Sequence, residues 1–372
     1  MDVANQIILT RDSGYFVIGE TDSRDGDITG PIHGSREVWV VKLNSSGVRQ
    51  WQKCLGGPSS DGGESCIQTN DGGFLLAGNT SSIGGDVSGF HYSIYGDMWV
   101  VKIDSIGKIQ WQRCYGGTGI DGASTVMTSS DGNIFIFGTT SSRDGDVTGL
   151  IGNLDFWLLK IDSMGTILWQ KCFGGIYGEL AKTASPTSDG GIVMIGLAAA
   201  DNGMVSGTHG GFGDYWICKI DSSGNFQWGK ALGGSGEDLG NAIRETLDGG
   251  YLAAGYTTST DGDITSNHGL KDYWIVKLAP LGLSVPEIEN SFMELTLFQN
   301  NDQLNLRFFS KHYKKAQLFL YDVTGKKVFE KSISVNEGIN YNSVNCSGFA
   351  SGMYFVRVDG VKGELRGRIV IE

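Results

Sequence analysis

The chain has 372 residues with 58 Gly, only 5 Pro and 40% apolar content, which describes a folded, turn-dense, β-rich protein too long for one ordinary core. Its net charge of −12 is uneven: 11 basic against 10 acidic residues lie from Pro286 onward, and 18 against 31 before it. An array that acidic repels phosphate backbones and excludes sequence-independent nucleic-acid binding, and no apolar run is long enough to span a membrane.

In chain order, the first organising signal is tryptophan. Trp39, Trp99, Trp157, Trp216 and Trp274 recur every 58 to 60 residues, and Trp51, Trp111, Trp169 and Trp228 each follow twelve residues later. A fixed grid of large side chains means one supersecondary unit copied five times, each copy packing on the next. In the second unit four apolar runs, Glu64–Thr69, Gly73–Thr80, Met98–Ile103 and Ile109–Tyr115, predict four short strands. Asp71-Gly72-Gly73 and its copies link the first two strands, and Asp104-Ser105-Ile106-Gly107 and its copies link the last two, both with residues that accept positive φ in tight hairpins. Runs such as Trp99-Val100-Val101-Lys102-Ile103 lack a polar face, as expected for a sheet covered on both sides. These features predict a five-bladed, incompletely closed β-propeller over residues 1–283, in preference to a β-solenoid. Met1-Asp2-Val3-Ala4 aligns with Ile120-Asp121-Gly122-Ala123, and the fifth unit has no second Trp. The expectation is that the fifth blade lacks its outer strand, which a piece upstream of Met1 would supply. No basic start followed by an apolar stretch marks a signal peptide at Met1-Asp2-Val3-Ala4-Asn5. Cys54, Cys114 and Cys172 share one repeat position and are read as buried thiols, since symmetry-related positions do not usually approach disulfide distance.

The connection between the second and third strands is long, a length that usually marks a functional or structured loop. It carries Asp25-Gly26-Asp27, Gly84-Gly85-Asp86, Asp144-Gly145-Asp146, Asn202-Gly203-Met204 and Asp261-Gly262-Asp263. Alternating carboxylates around Gly suit a hard cation such as Ca²⁺, so Asp25, Asp27, Asp144, Asp146, Asp261 and Asp263 are candidate metal ligands, with aspartates closing their own turns as the competing reading. His33, His91, His209 and His268 lie six to eight residues before the first Trp of their units, with Asp97, Asp155, Asp214 and Asp272 two before it. His beside carboxylate suits metal or acid–base chemistry, but these residues recur once per unit and mark no single reaction centre. They read as blade architecture or as several equivalent binding sites. Phe90, Tyr92, Tyr95 and Phe212 are aromatic loop residues suited to stacking on sugar rings. Gly-x-Ser-x-Gly, His-Glu-x-x-His and phosphate-loop motifs are absent, and no other cofactor is expected.

Residues 284–291 read as a linker. Beyond it, Met293–Phe298, Gln303–Phe309, Ala316–Val323, Lys327–Ile333, Ile339–Val344, Met353–Val358 and Gly367–Glu372 read as seven strands of a small immunoglobulin-like β-sandwich over 292–372. Three stretches of it carry a resemblance: Leu318 to Val328, with Tyr321-Asp322-Val323-Thr324-Gly325; Ser351-Gly352-Met353-Tyr354-Phe355-Val356-Arg357-Val358; and Arg366-Gly367-Arg368-Ile369-Val370-Ile371. This region resembles the type A C-terminal sorting domain of the bacterial type IX secretion system, and the repeats look like those of secreted Bacteroidota proteins carrying this tail. Where that family usually opens with Tyr-Pro-Asn-Pro, this chain has Phe298-Gln299-Asn300-Asn301. The resemblance implies export through the periplasm across the outer membrane, with the secretion machinery as partner. The expected function is a non-enzymatic, secreted or cell-surface binding or adhesion module for a glycan or protein ligand. The alternatives are a secreted glycan-acting hydrolase, which would need two carboxylates at a defined separation in a central cleft, and a pure surface scaffold.

Overall fold

The computed structural model describes residues 1–93, 95–280, 295–300, 302–310, 314–359 and 365–371. The chain divides into two compact units, Met1–Leu283 and Ser284–Glu372; the linker expected at 284–291 lies outside the described residues.

In the first unit every repeat becomes one antiparallel meander. The first sheet is β1 (Asp2–Leu9), β2 (Tyr15–Thr21), β3 (Glu37–Leu43) and β4 (Arg49–Leu55), and the second is β5 (Asp61–Gln68), β6 (Phe74–Thr80), β7 (Asp97–Ile103) and β8 (Ile109–Tyr115). The third is β9 (Asp121–Thr128), β10 (Ile134–Thr140), β11 (Asp155–Ile161) and β12 (Ile167–Phe173). The fourth is β13 (Glu179–Pro186), β14 (Ile192–Ala198), β15 (Asp214–Ile220) and β16 (Phe226–Leu232), and the fifth β17 (Asp238–Glu245), β18 (Tyr251–Thr257) and β19 (Asp272–Leu278). β5 starts at Asp61, earlier than its apolar run suggests, because a bulge between Gly63 and Ser65 lets pairing continue through Gly62 and Gly63.

The period-2 alternation of the third strand explains why both faces are apolar. Trp99 packs with Phe16, Ile18 and Val38 of the preceding sheet, whereas its neighbours Met98 and Val100 pack with Trp157 and Leu159 of the following one. Trp157 and Trp216 repeat the backward-facing role, and all three indoles are buried. Successive sheets therefore stack face to face as propeller blades, with the first strands β1, β5, β9, β13 and β17 following one another along the inside. Among the described residues the fifth blade has three strands, and the face of β19 turned away from the fourth blade is open, with Tyr273 96% and Ile275 67% exposed. The fold is an all-β, five-bladed, incompletely closed propeller.

The second unit contains β20 (Thr296–Asn300), β21 (Gln303–Ser310), β22 (Lys314–Asp322), β23 (Lys327–Val335), β24 (Gly338–Asn345), β25 (Gly352–Asp359) and β26 (Leu365–Ile371). The sheets β20-β21-β24 and β23-β22-β25-β26 share one core. Leu304, Leu306 and Phe308 supply it from one sheet, and Leu318, Leu320, Val356 and Val358 from the other, which makes a seven-stranded sandwich.

Candidate functional site

Antiparallel meandering brings four features of each blade to one end: the start of the first strand, the end of the second, the long loop, and the end of the fourth. Buried carboxylates organise this end. At each junction the acid opening the third strand of one blade lies near the acid opening the first strand of the next, giving the pairs Glu37 with Asp61, Asp97 with Asp121, Asp155 with Glu179, and Asp214 with Asp238. All eight are buried. Asp61 accepts hydrogen bonds from the hydroxyls of Thr80 and Ser82 and from Gly57 N–H at 2.7 Å, and Asp121 repeats the pattern with Thr140, Ser142 and Gly117. In the fourth blade the hydroxyl positions are Ala198 and Ala200, and the acid is the longer Glu179, which keeps only Gly175 N–H at 2.9 Å. The oxygens Glu37 Oε2, Asp97 Oδ1, Glu179 Oε1, Asp214 Oδ1 and Asp238 Oδ1 have no hydrogen-bond partner among the described residues. Burial pushes Asp61, Asp97, Asp121 and Asp155 above the usual carboxylate range. The same cause takes Asp214 to about 6, with Asp238 adding to it, and Glu179 to about 7, with Asp155 adding to it. The repeated glycine before each first strand is required by this packing: a Cβ on Gly233 would sit 2.1 Å from Asp214 Oδ1 and 2.5 Å from Asp238 Oδ2.

The loop histidines are tied to the same acids. Backbone N–H groups of His33, His91, His209 and His268 donate to Glu37, Asp97, Asp214 and Asp272. The His91 ring lies between two carboxylates, Nδ1 at 2.8 Å from Asp97 and Nε2 at 3.8 Å from Asp146 of the next blade. His209 repeats this at 3.7 Å from Asp214 and 3.9 Å from Asp263. The third-strand acids hold the loop closed, and the rings of His91 and His209 bridge blades.

Four of the six candidate cation ligands, Asp144, Asp146, Asp261 and Asp263, latch the loop to the preceding connection, the turn-closing alternative to a metal site. Asp144 accepts from Thr118 N–H at 2.7 Å and Thr118 Oγ1 at 2.9 Å, and Asp261 accepts from Ser235 N–H at 2.7 Å. Asp146 and Asp263 accept from Gly116 and Gly233 N–H. Asp25 is exposed at a turn and Asp27 is 89% exposed beside Arg49. Among the described residues no three His, Cys, Asp or Glu side chains converge as a metal ion requires. These carboxylates accept from backbone N–H groups of the glycine-rich connection, some 26 to 30 residues back in the chain.

The loops of the second and fourth blades hold aromatic residues out to solvent. Tyr92 (76% exposed, at φ +59°), Tyr95 (62%) and Phe212 (84%) stand on the loops, and Ile176 and Tyr177 stand exposed on the adjoining connection into the fourth blade. Phe90 is partly buried, 6.3 Å from Tyr92.

Sequence reading missed the acids opening the first strands, although Asp or Glu four residues after the second Gly of each connection (Gly57, Gly117, Gly175, Gly234) is a readable signal. It also missed a repeated ion pair at the opposite, hairpin end. Lys42, Lys102, Lys160, Lys219 and Lys277 of the third strands meet Asp12, Asp71, Asp131, Asp189 and Asp248 of the first hairpin turns at 2.6 to 2.9 Å. The Lys102 hydrogen bond leads the causes that lower Asp71 to about 2.

In the sandwich, Asp322 Oδ1 accepts from Thr324 and Lys326 N–H and closes the β22–β23 turn, with Gly325 at φ +80°. Tyr354 is buried and donates to Ala350 O at 2.8 Å; Gly352 pairs with Ile371 at the start of β25. Tyr321 and Phe319 lie under the Arg357 guanidinium, at 5.5 and 5.0 Å. β26 places Arg368 and Val370 outward and Ile369 toward the core, with Arg366 opposite Arg357 in register. Most of the motif residues thus serve turn, core or terminal-strand pairing.

An open propeller followed by a sandwich ending in a paired C-terminal strand is the class that fold and site define. The family model of the secretion system C-terminal sorting domain matches residues 300–372, most of the second unit, which supports export of the chain. No curated protein matches the sequence. Among solved structures the chain is distantly similar to the mannose phosphorylase MPT-4 of Leishmania mexicana, at 10% identity and TM-score 0.34 over 68% of this chain and 78% of that one. It is likewise similar to the GH32 β-fructofuranosidase BmSUC1 of Bombyx mori, at 9% identity and TM-score 0.34 over 99% and 85%, and to the GH43 protein BlXynB of Bacillus licheniformis, at 11% and 0.34 over 98% and 86%. Likeness at that level carries no argument about activity. No described helix is long and apolar enough to cross a membrane.

Proposed function

We propose that the chain is an exported, non-enzymatic binding module, delivered by type IX secretion to the cell surface or medium, whose propeller engages a glycan or protein ligand with its loop end. The observation that supports this reading is the combination of exposed Tyr92, Tyr95, Tyr177 and Phe212 with a scaffold of buried acids that fixes their loops. Rigid, solvent-facing rings suit stacking on sugar faces or anchoring in a protein pocket. The carboxylates and histidines at the same end recur in successive blades and are bonded to loop backbone, the part a scaffold plays.

Glycan-array binding by the full chain tests the reading. A retained glycan whose binding falls at least tenfold in Phe212→Ala or Tyr92→Ala supports it. An array with no retained glycan, together with no captured surface protein, would leave a scaffold, and sugar release from a bound glycan would make the chain a glycosidase. For the export half, a chain stopped after Leu283 is expected to stay inside cells that secrete the full-length form; its appearance outside would refute the role of the sorting domain.

A further inference from the structure

The hairpin end of the propeller breaks its own symmetry at one junction. Each outer Trp faces a second-strand side chain of its own sheet and the first second-strand residue of the next sheet. At the first junction these are Phe16 and Phe74, stacked at 3.8 Å, with the Trp51 ring 5.8 and 6.3 Å from them. The third junction places Phe135 5.6 Å from Trp169, and the fourth places Tyr251 5.6 Å from Trp228. At the second junction the corresponding register positions are Leu75, beside Lys102 and Trp111, and Ile134. No described ring lies against Trp111 there, and a cavity of about 520 Å³ opens at that point.

Its floor is made by buried Leu75 and Ile134, with Trp111 as one wall and the exposed turn residues Asn70 and Met164 at the mouth. The volume lies in the range of small-molecule pockets, and an apolar wall with a few polar groups is their usual lining. Buried Lys102 holds Asp71 at 2.9 Å and Gln110 Oε1 at 2.8 Å on the rim, which fixes the exposed Gln110 side chain with its amide N–H groups free to face solvent or a ligand. A ligand with a ring for the floor and an oxygen at the mouth would cover the apolar floor and accept from that amide in place of water.

We infer that the junction of the second and third blades binds a small hydroxyaryl compound, its ring taking the place that Phe16, Phe74, Phe135 or Tyr251 takes at the other junctions. This pocket lies at the end opposite the loop rim and stands independently of the function proposed there. Calorimetric titration of the intact chain with p-cresol, the side-chain analogue of tyrosine, tests it. One saturable site is expected, weakened at least tenfold in Leu75→Phe and in Ile134→Phe, which insert a ring from the two sides of the junction. Cyclohexanol, of similar size but not aromatic, is expected to bind at least tenfold more weakly. An absence of saturable binding, undiminished binding in whichever filled variant keeps the wild-type circular dichroism, or equal binding of cyclohexanol would each overturn the inference.

Discussion

A buried indole carries one donor and needs an acceptor for it. Trp39, Trp99 and Trp157 solve this alike: each Nε1 donates to a fourth-strand glutamine, Gln52, Gln112 or Gln170, at 2.7 to 2.8 Å. The glutamine amide then donates to the long loop, as Gln170 Nε2 does to Thr148 O at 3.0 Å, so one side chain links core, outer strand and loop. In the fourth blade Gly229 stands at that position and Trp216 Nε1 has no partner among the described residues. Trp157→Ala is expected to destabilise the propeller by about 3–5 kcal/mol, the cost of emptying a fully buried aromatic site. Gln170→Ala should cost about 1–3 kcal/mol by leaving the indole N–H unpaired. Urea unfolding of both variants checks the order, and a Gln170→Ala variant as stable as wild type would mean that the indole finds another acceptor.

At the scale of the element, the turns were legible and the latches were not. Asp-Gly-Gly and Asp-Ser-x-Gly between apolar runs state their hairpins locally, and both hairpin sets form as expected. The glycines in them have unequal tasks, however. Gly72 sits at φ +84° with open space around its Cα, whereas Gly224, at φ +80°, also lies under the preceding blade, where a Cβ would come 2.8 Å from Trp169 Cη2. Gly72→Ala is therefore expected to cost only the left-handed strain, about 1 kcal/mol, and Gly224→Ala about 2 kcal/mol or more, since the Trp ring must also shift to admit the methyl group. Equal losses in thermal unfolding would show that the outer Trp yields freely. The aspartates of the long loop are the opposite case: their pattern around Gly is local, but their partners are N–H groups of a connection some 26 to 30 residues earlier, a distance that only the folded meander closes. The acid pairs span two blades, so no single repeat showed both members of a pair, although Asp97 and its copies and the acid after each Gly-Gly connection were legible individually.

For the whole molecule, blade number, phase and the open fifth sheet followed from the Trp grid because large side chains at a fixed period leave one way to stack. The missing ring at the second junction did not follow, because Leu75 and Ile134 are ordinary core residues until the neighbouring junctions show what usually fills their place. The repeated acid pairs also give the array a collective pH response. Burial raises Asp61, Asp97, Asp121 and Asp155 above their unfolded values, takes Asp214 to about 6 and Glu179 to about 7, and so makes the folded state bind protons that the unfolded chain has released. The sign follows from linkage: this contribution is complete below about pH 4, where both states are protonated, and is lost as pH rises through the folded values, up to about 7. Self-repulsion of the acidic propeller acts in the same direction. The hairpin pairs oppose it only at the acid end, because Asp71, lowered to about 2 by Lys102, contributes stability that is lost as pH falls below about 4. The midpoint of thermal unfolding should therefore peak near pH 4 to 5 and fall by about 5 °C by pH 8, the change that 1–2 kcal/mol makes in a domain of this size. In the double variant Glu179→Gln, Asp214→Asn the decline between pH 5 and 8 should flatten, because the amides carry no proton to lose. A midpoint that rises from pH 5 to 8, or a double variant with the wild-type slope, would show that the junction acids ionise at ordinary values.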